Sequence, residues 1–232
     1  MNYIICSYKI TPEIENNILG LNLTPVKLRG VYKFGENHPL NYHPDMFCYN
    51  LRDKTWLFYE SAYYNNKKIL DNLNLDIILT RDPVSGEYPH YIGLNCAKVG
   101  AYVICAEKYA NAKILEHAGN IINVKQGYAR CSVCIAGEAV ITACQNIYNN
   151  FTGDKLLIAA GHINLAGYNY GFIGGCSGFI NAGRRAPALL FTGDIKLHPD
   201  YLKIKDFCDN KKIDIISLSR EKLTDYGGLF IL

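Results

Sequence analysis

Two short stretches carry residue types that could do chemistry together. "NYHPDMFCYN", residues 41–50, sets His43 and Asp45 two apart at the mouth of an apolar run, and "QGYARCSVC", residues 126–134, carries Cys131. In an extended strand residues i and i+2 point to the same side, so the imidazole and the carboxylate would face one region. A cysteine becomes a useful nucleophile when a neighbouring imidazole takes or shares its proton, because the thiolate is the reactive form. Histidine moves protons in both directions near neutral pH. Asp45 on the same side could orient a cationic substrate or hold an imidazolium. Each residue also has a plainer reading: a histidine before proline suits a turn, and a strand cysteine suits a core.

Residues this far apart meet only if the fold gathers them, and a repeat of about 45 residues suggests how. Four units run through the same succession of strand, strand, helix and strand. The first is "HPDMFCYNL", "TWLFYES", "NNKKILDNL", "LDIILT"; the second is "PHYIGLNCAKVG", "AYVICAEK", "NAKILEHAG", "NIINV". The third is "YARCSVCIAG", "AVITACQNIY", a stretch near "NNFTG", "DKLLIAAG"; the fourth is "CSGFINAG", "ALLFTGDI", "PDYLKIKDFCDNK", "IDIISLS". Apolar spacing such as Ile114 with Leu115 and Ala118, and Pro199 before the last helix, mark the helices. β-branched and aromatic runs between Gly and Pro turns mark the strands.

The remainder forms a fifth unit split across the ends of the sequence: "YIICSYK", "TPEIENNILGL" and "TPVKLRG" at one end, "YGGLFIL" at the other. The reading is an α/β protein, one domain over residues 1–232, with five ββαβ modules in a propeller of pseudo-fivefold symmetry closed by the C-terminal strand. Closure would remove exposed sheet edges. An ordinary α/β sandwich with coincidental spacing is the alternative. In the ring, the module starts His43, His90, Cys131, Cys176 and Tyr226 would converge on one pocket.

The totals exclude several classes. A net charge of +3 without a basic stripe gives no reason to expect a nucleic-acid partner. Arg184-Arg185 and Lys211-Lys212 read as solvated pairs. No apolar run approaches the ~18 residues of a membrane span, and the start lacks the basic region of a signal peptide. Nine cysteines, an odd number, several of them in apolar runs, read as reduced thiols rather than a disulfide framework. The expectation is a soluble cytoplasmic protein with no membrane partner, whose sequons at Asn22 and Asn150 are chance matches.

A ring of five ββαβ modules resembles the pentein fold of the guanidino-group-modifying enzymes: arginine and agmatine deiminases, dimethylargininase and amidinotransferases. "HPDM" (His43 to Met46) is similar to their His-x-Asp motif. "QGYARCSVC", with Gly127, Arg130, Cys131 and Ser132, is similar to the glycine-led strand that bears their nucleophile. Cys131 matches better than Cys134, which lies three further along and would face the other side of a strand. The resemblance implies that Cys131 attacks a guanidinium or amidine carbon while Asp45 holds its N–H groups. His43 then protonates the leaving group and activates water. It further implies a substrate side bearing Arg130, Gly127, Gly174, Gly175 and Cys176, a small-molecule substrate, and neither metal nor organic cofactor.

Two departures stand out. The His motif comes first in this chain and the terminal "YGGLFIL" has no cysteine, which a circular permutation by two modules repairs. The family's Glu-Gly-Gly-Asp motif corresponds to "FIGGCSG", where Ile173 and Cys176 replace both carboxylates. Each lost charge-assisted hydrogen bond is worth about 1.5–3 kcal/mol. A pocket keeping only Asp45 would suit a less charged ligand, or the non-catalytic role known for other proteins of this architecture, among them a ribosome anti-association factor.

Other readings fit less well. "RCSVC" is a Cys-x-x-Cys, but redox pairs favour helix starts. Zinc would need two more ligands. "GYNYGFIGGCSG" lacks the Lys-Ser/Thr of a phosphate loop. His38, His117, His162 and His198 read as surface or turn residues.

Overall fold

The computed structural model describes residues 2–30, 38–181 and 186–232, so the Arg184-Arg185 pair lies outside the described residues. The chain begins with β1 (Asn2–Ser7), α1 (Pro12–Gly20) and β2 (Leu23–Leu28). β3 (Cys48–Arg52), β4 (Thr55–Tyr59), α2 (Glu60–Leu70) and β5 (Asp76–Thr80) follow. Next come β6 (Ala97–Val99), β7 (Tyr102–Cys105), α3 (Ala112–His117) and β8 (Asn120–Asn123). A single helical turn, α4 (Ala129–Ser132), leads into β9 (Val133–Ala136), β10 (Ala139–Thr142), α5 (Gln145–Asn150) and β11 (Lys155–Leu157). β12 (Ser177–Ile180), β13 (Ala188–Phe191), α6 (Tyr201–Asn210), β14 (Asp214–Ser217) and β15 (Phe230–Ile231) complete the order.

These strands form five separate three-stranded sheets, β15-β1-β2, β3-β4-β5, β6-β7-β8, β9-β10-β11 and β12-β13-β14. In each, the first strand is antiparallel to the second and the second parallel to the third. A parallel neighbour requires a crossover, which is why a helix separates the second and third strands every time. The split unit is completed by β15, paired with β1 at Ile4↔Ile231 and Ile5↔Phe230.

The middle strands β1, β4, β7, β10 and β13 are buried over most of their length. That is why "TWLFY" and "ALLF" read as unbroken apolar runs rather than alternating ones. The helices bury one stripe each at i, i+4 spacing: Ile14 and Ile18 on α1, Ala62, Asn66 and Leu70 on α2, Ile204 and Cys208 on α6. Each buried Ile contributes about 1.5–3 kcal/mol. Thr11 caps α1 by accepting from Ile14 N, with Pro12 in the first turn.

Neighbouring sheets share cores. Ile5 and Val26 pack in one cluster with Trp56 and Phe58, which also reaches Val103 and Cys105. Ala97 and Ile104 pack with Val133 and Val140, Cys134 and Ile141 with Leu189 and Phe191, and Ala188 and Leu190 with Ile4 and Cys6. Every sheet thus shares a core with the next, and the fifth with the first.

Several local expectations are corrected. Residues 39–46 are not a strand mouth: two 3₁₀ turns, Pro39–Tyr42 and Pro44–Met46, flank His43, and β3 starts only at Cys48. A proline at the head of each turn favours helical backbone there. Cys131 lies on α4, not in a strand. The third module's helix begins at Gln145, before "NNFTG", because Cys144 N donates to Thr142 Oγ1 and ends β10. Among the described residues no helix is long and apolar enough to cross a membrane.

Candidate functional site

His43 and Asp45 reach the site through turns rather than strand alternation, and both are buried. His43 N donates to Leu40 O, and Asp45 N donates across the molecule to Gly227 O at 3.2 Å. The turn is therefore clamped to the segment before β15. Cys131 is fixed by Asn95. The Asn95 Oδ1 accepts from the Arg130 and Cys131 backbone N–H groups at 2.9 and 3.3 Å. Its Nδ2 lies 3.2 Å from Cys131 Sγ, Asp45 O and Met46 Sδ. One buried amide thus ties the His43–Met46 turn to the helix that carries the thiol.

The Cys131 thiol donates to Asp45 Oδ2 at 2.8 Å. A second carboxylate, Asp225, stands beside His43, its Oδ1 3.5 Å from His43 Nδ1. It accepts from Gly227 N on Oδ1 at 3.0 Å and from Phe172 N on Oδ2 at 2.9 Å. Two glycines make room for this packing. A Cβ on Gly175 would lie 1.8 Å from Asp225 Oδ1, and one on Gly227, whose φ is +77°, would lie 2.4 Å from His43 Cα.

The electrostatics follow from burying two acids beside a thiol. Burial pushes the Cys131 thiol well up, the Asp45 and Asp225 charges push it further, and the Asn95 donor opposes them. Burial also raises Asp225; His43 pulls it back down, and Asp45 pushes it up again. Burial and both carboxylates thus favour the protonated form of Cys131. A cavity of about 220 Å³ reaches His43, Cys131 and Asp225 and is walled by Tyr128, Tyr168 and Phe172. Asp45, wholly buried, stands behind Cys131.

Of the residues singled out in the sequence, His43, Asp45 and Cys131 are brought together. The others are not at this cavity. The Arg130 guanidinium is bonded to Val133 O and Gly174 O and lines a different cavity. Gly127 packs against Tyr88 and Ile92, and Gly174 against the backbone of Arg130, Cys131 and Val133. Gly175 touches Asp225 rather than the cavity. Cys176 is buried, its Sγ donating to Ile173 O, with burial raising its pKa. His90 is exposed, and His198, read as a surface or turn residue, is buried with its Nδ1 accepting from Asp200 N. Cys134 is a free thiol in β9, pushed up to about 11 by burial. Among the described residues no group of three or more His, Cys, Asp or Glu is placed to hold a metal ion.

The expectation of a pocket with Asp45 as its only carboxylate is thus corrected by Asp225. Both Asp225 and Asn95 escaped sequence reasoning. The signal for Asp225 was its position two residues before Gly227-Gly228, at the start of the split module.

Residues 5–230 match the model of a family described as a family of unknown function, DUF6873. No curated protein matches the sequence. Among solved structures, the chain is similar to SxtG, an amidinotransferase from Microseira wollei in the saxitoxin biosynthetic pathway. The TM-score is 0.53 at 8% identity, over 94% of this chain and 88% of that one. It is also similar to a dimethylarginine dimethylaminohydrolase adduct with 4-chloro-2-hydroxymethylpyridine, with TM-score 0.49 at 9% identity over 94% and 92% of the two chains. A dimethylarginine dimethylaminohydrolase mutant from Pseudomonas aeruginosa complexed with citrulline gives 0.48 at 10% identity over 94% and 91%. The likeness to the amidinotransferase is one of fold, and it bears out the expected pentein-like fold.

Proposed function

The chain belongs to this family of unknown function, DUF6873, and we propose that it is a cysteine-dependent hydrolase or transferase acting on a guanidino or amidine group of a small molecule. One observation carries the reading: a buried thiol donating to Asp45 at 2.8 Å shares a cavity wall with His43, itself 3.5 Å from Asp225. Two buried carboxylates about a thiol suit a planar cation, whose N–H groups a carboxylate accepts in pairs. SxtG, an amidinotransferase, is of this class.

In the proposed sequence the cation enters beside Asp225 and offsets the charges that hold the proton on Cys131. Cys131 Sγ passes that proton to His43 and bonds to the guanidinium carbon. His43 protonates the departing amine or ammonia as its C–N bond breaks, leaving a covalent Cys131 adduct. His43 then takes a proton from water, or from an acceptor amine, whose attack on the same carbon frees the thiol. Five ββαβ modules closing a ring over residues 1–232 would hold these parts in register; the core shared between each sheet and the next supports that closure. Nine free thiols support a reducing, cytoplasmic setting.

Binding without turnover is the second reading, favoured by the low exposure of Cys131 and His43, 2% and 3%. Labelling separates the two. Chloroacetamidine, with its cationic head, should modify Cys131 faster than neutral iodoacetamide does, and Asp225→Asn should remove that preference. If chloroacetamidine marks no cysteine preferentially, or marks Cys176 instead, the covalent reading fails and binding alone remains.

A further inference from the structure

Arg130 and Cys131 are neighbours on α4, yet they serve different cavities. The Arg130 side lies against a second cavity of about 230 Å³ that the cysteine chemistry does not use. First strands of all five sheets touch it, through Asn50 of β3, Lys98 of β6, Ile135 of β9, Phe179 of β12 and Phe230 of β15. Its charged lining is cationic, alongside the neutral polar groups of Tyr49, Asn50 and Ser177. Arg130, only 6% exposed, gives Nη1 to two backbone carbonyls and has no carboxylate partner among the described residues. Lys98, exposed at the margin, gives its ammonium to Leu51 O at 2.7 Å and likewise has no acid partner. Trp56, 1% exposed, lines the same cavity, and its indole N–H has no hydrogen-bond acceptor. Among the described residues no Asp or Glu lines the cavity.

A buried cation met only by neutral carbonyls is costly unless something compensates it, and an indole N–H normally finds an acceptor when buried. Aromatic rings form much of the wall: Phe230 lies under the Arg130 guanidinium at 4.8 Å and edge-on to Trp56 at 6.0 Å. We propose that this cavity binds a small carboxylate with a flat apolar body. The carboxylate meets Arg130, Lys98 and the Trp56 N–H, and the body packs between Trp56, Phe179 and Phe230. Ligand sites of this kind combine an apolar wall with a few convergent polar groups. The site is independent of the proposed cysteine chemistry.

Trp56 is the only tryptophan in the chain, so its emission reports on this cavity directly. Titration of the full chain with benzoate should give a saturable change in that emission, whereas the neutral isostere benzamide should bind at least about tenfold more weakly. Arg130→Gln should abolish the response. Because Arg130 also ties two carbonyls, Lys98→Met serves as the second variant; it leaves the core untouched and should weaken benzoate roughly fivefold. Equal responses to benzoate and benzamide would overturn the proposal, as would an unchanged benzoate affinity in folded Lys98→Met. So would saturation by inorganic phosphate where benzoate gives none.

Discussion

Cys131 and Asp45, 86 residues apart in the chain, meet through one hydrogen bond in which the thiol donates to Oδ2 at 2.8 Å. The other carboxylate oxygen, Oδ1, has no hydrogen-bond partner. The thiol is thus the main solvation of a wholly buried acid, and the acid in turn holds the proton on sulfur.

Asp45→Asn tests that exchange. The amide removes a charge that raises the Cys131 pKa, so the midpoint of the pH profile for iodoacetamide alkylation of Cys131 should move down. At neutral pH the neutral reagent should react faster than with the wild type, while the preference for chloroacetamidine disappears. Rates read by mass spectrometry decide it. Slower alkylation by iodoacetamide would mean that Asp45 acts as a base, accepting the proton, rather than as a charge that retains it.

Asp225 makes a statement about stability. Unfolded, it releases its proton near the ordinary carboxylate value of about 4; folded, burial first of all keeps the proton on to higher pH. Between those two values the folded state binds the extra proton. Its contribution to stability therefore improves as pH falls through the window, and the cost is fully present above it. The unfolding free energy of the wild type minus that of Asp225→Asn, from urea melts at a series of pH values, should rise on acidification. If it falls instead, pairing with a protonated His43 outweighs burial.

Gly175 and Gly20 form a matched pair of sites. A methyl group at Gly175 meets the Asp225 carboxylate, whereas nothing lies within 4 Å of one at Gly20, at the end of α1. Gly175→Ala should cost about 1–3 kcal/mol by overpacking and should also lower amidinium labelling of Cys131, because Asp225 is displaced. Gly20→Ala should gain about 0.4–1 kcal/mol, mainly by restricting the unfolded chain. Denaturant melts of both variants measure this. A Gly175→Ala protein as stable and as reactive as the wild type would refute the close approach.

The module order was legible because it rests on local patterning. Middle strands buried on both sides must be apolar throughout, and each parallel pair must be spanned by a helix, so "TWLFY" and "ALLF" could be read directly. His43, Asp45 and Cys131 were legible as a set through the resemblance of their motifs. Their local geometry was not: Pro39 and Pro44 impose 3₁₀ turns that a strand reading of "HPDM" ignores. Arg130 was assigned to the wrong cavity because adjacent residues on a helical turn diverge, which only α4 reveals. Asn95 and Asp225 lie in irregular segments without periodicity. Their roles come from tertiary approach, through Gly175 and the turn at His43; the Gly227-Gly228 pair beside Asp225 is the one local signal, and Asn95 has none.

The pairing of β1 with β15 also orders events in time. As the chain is synthesised, at about 5–20 residues per second, the sheets from β3 to β14 can each pair from neighbouring sequence soon after they emerge. β1 and β2 are made before those sheets, but their own sheet stays incomplete until β15, which follows β14 in the chain, closes Ile4 on Ile231. Asp225 and Gly227 arrive on that same late segment. A nascent chain that has not reached them holds the thiol, the imidazole and one acid, but not the second acid that stands against His43. The first sheet and the full set of groups about His43 and Cys131 therefore wait on the same segment, the one that carries Asp225, Gly227 and β15.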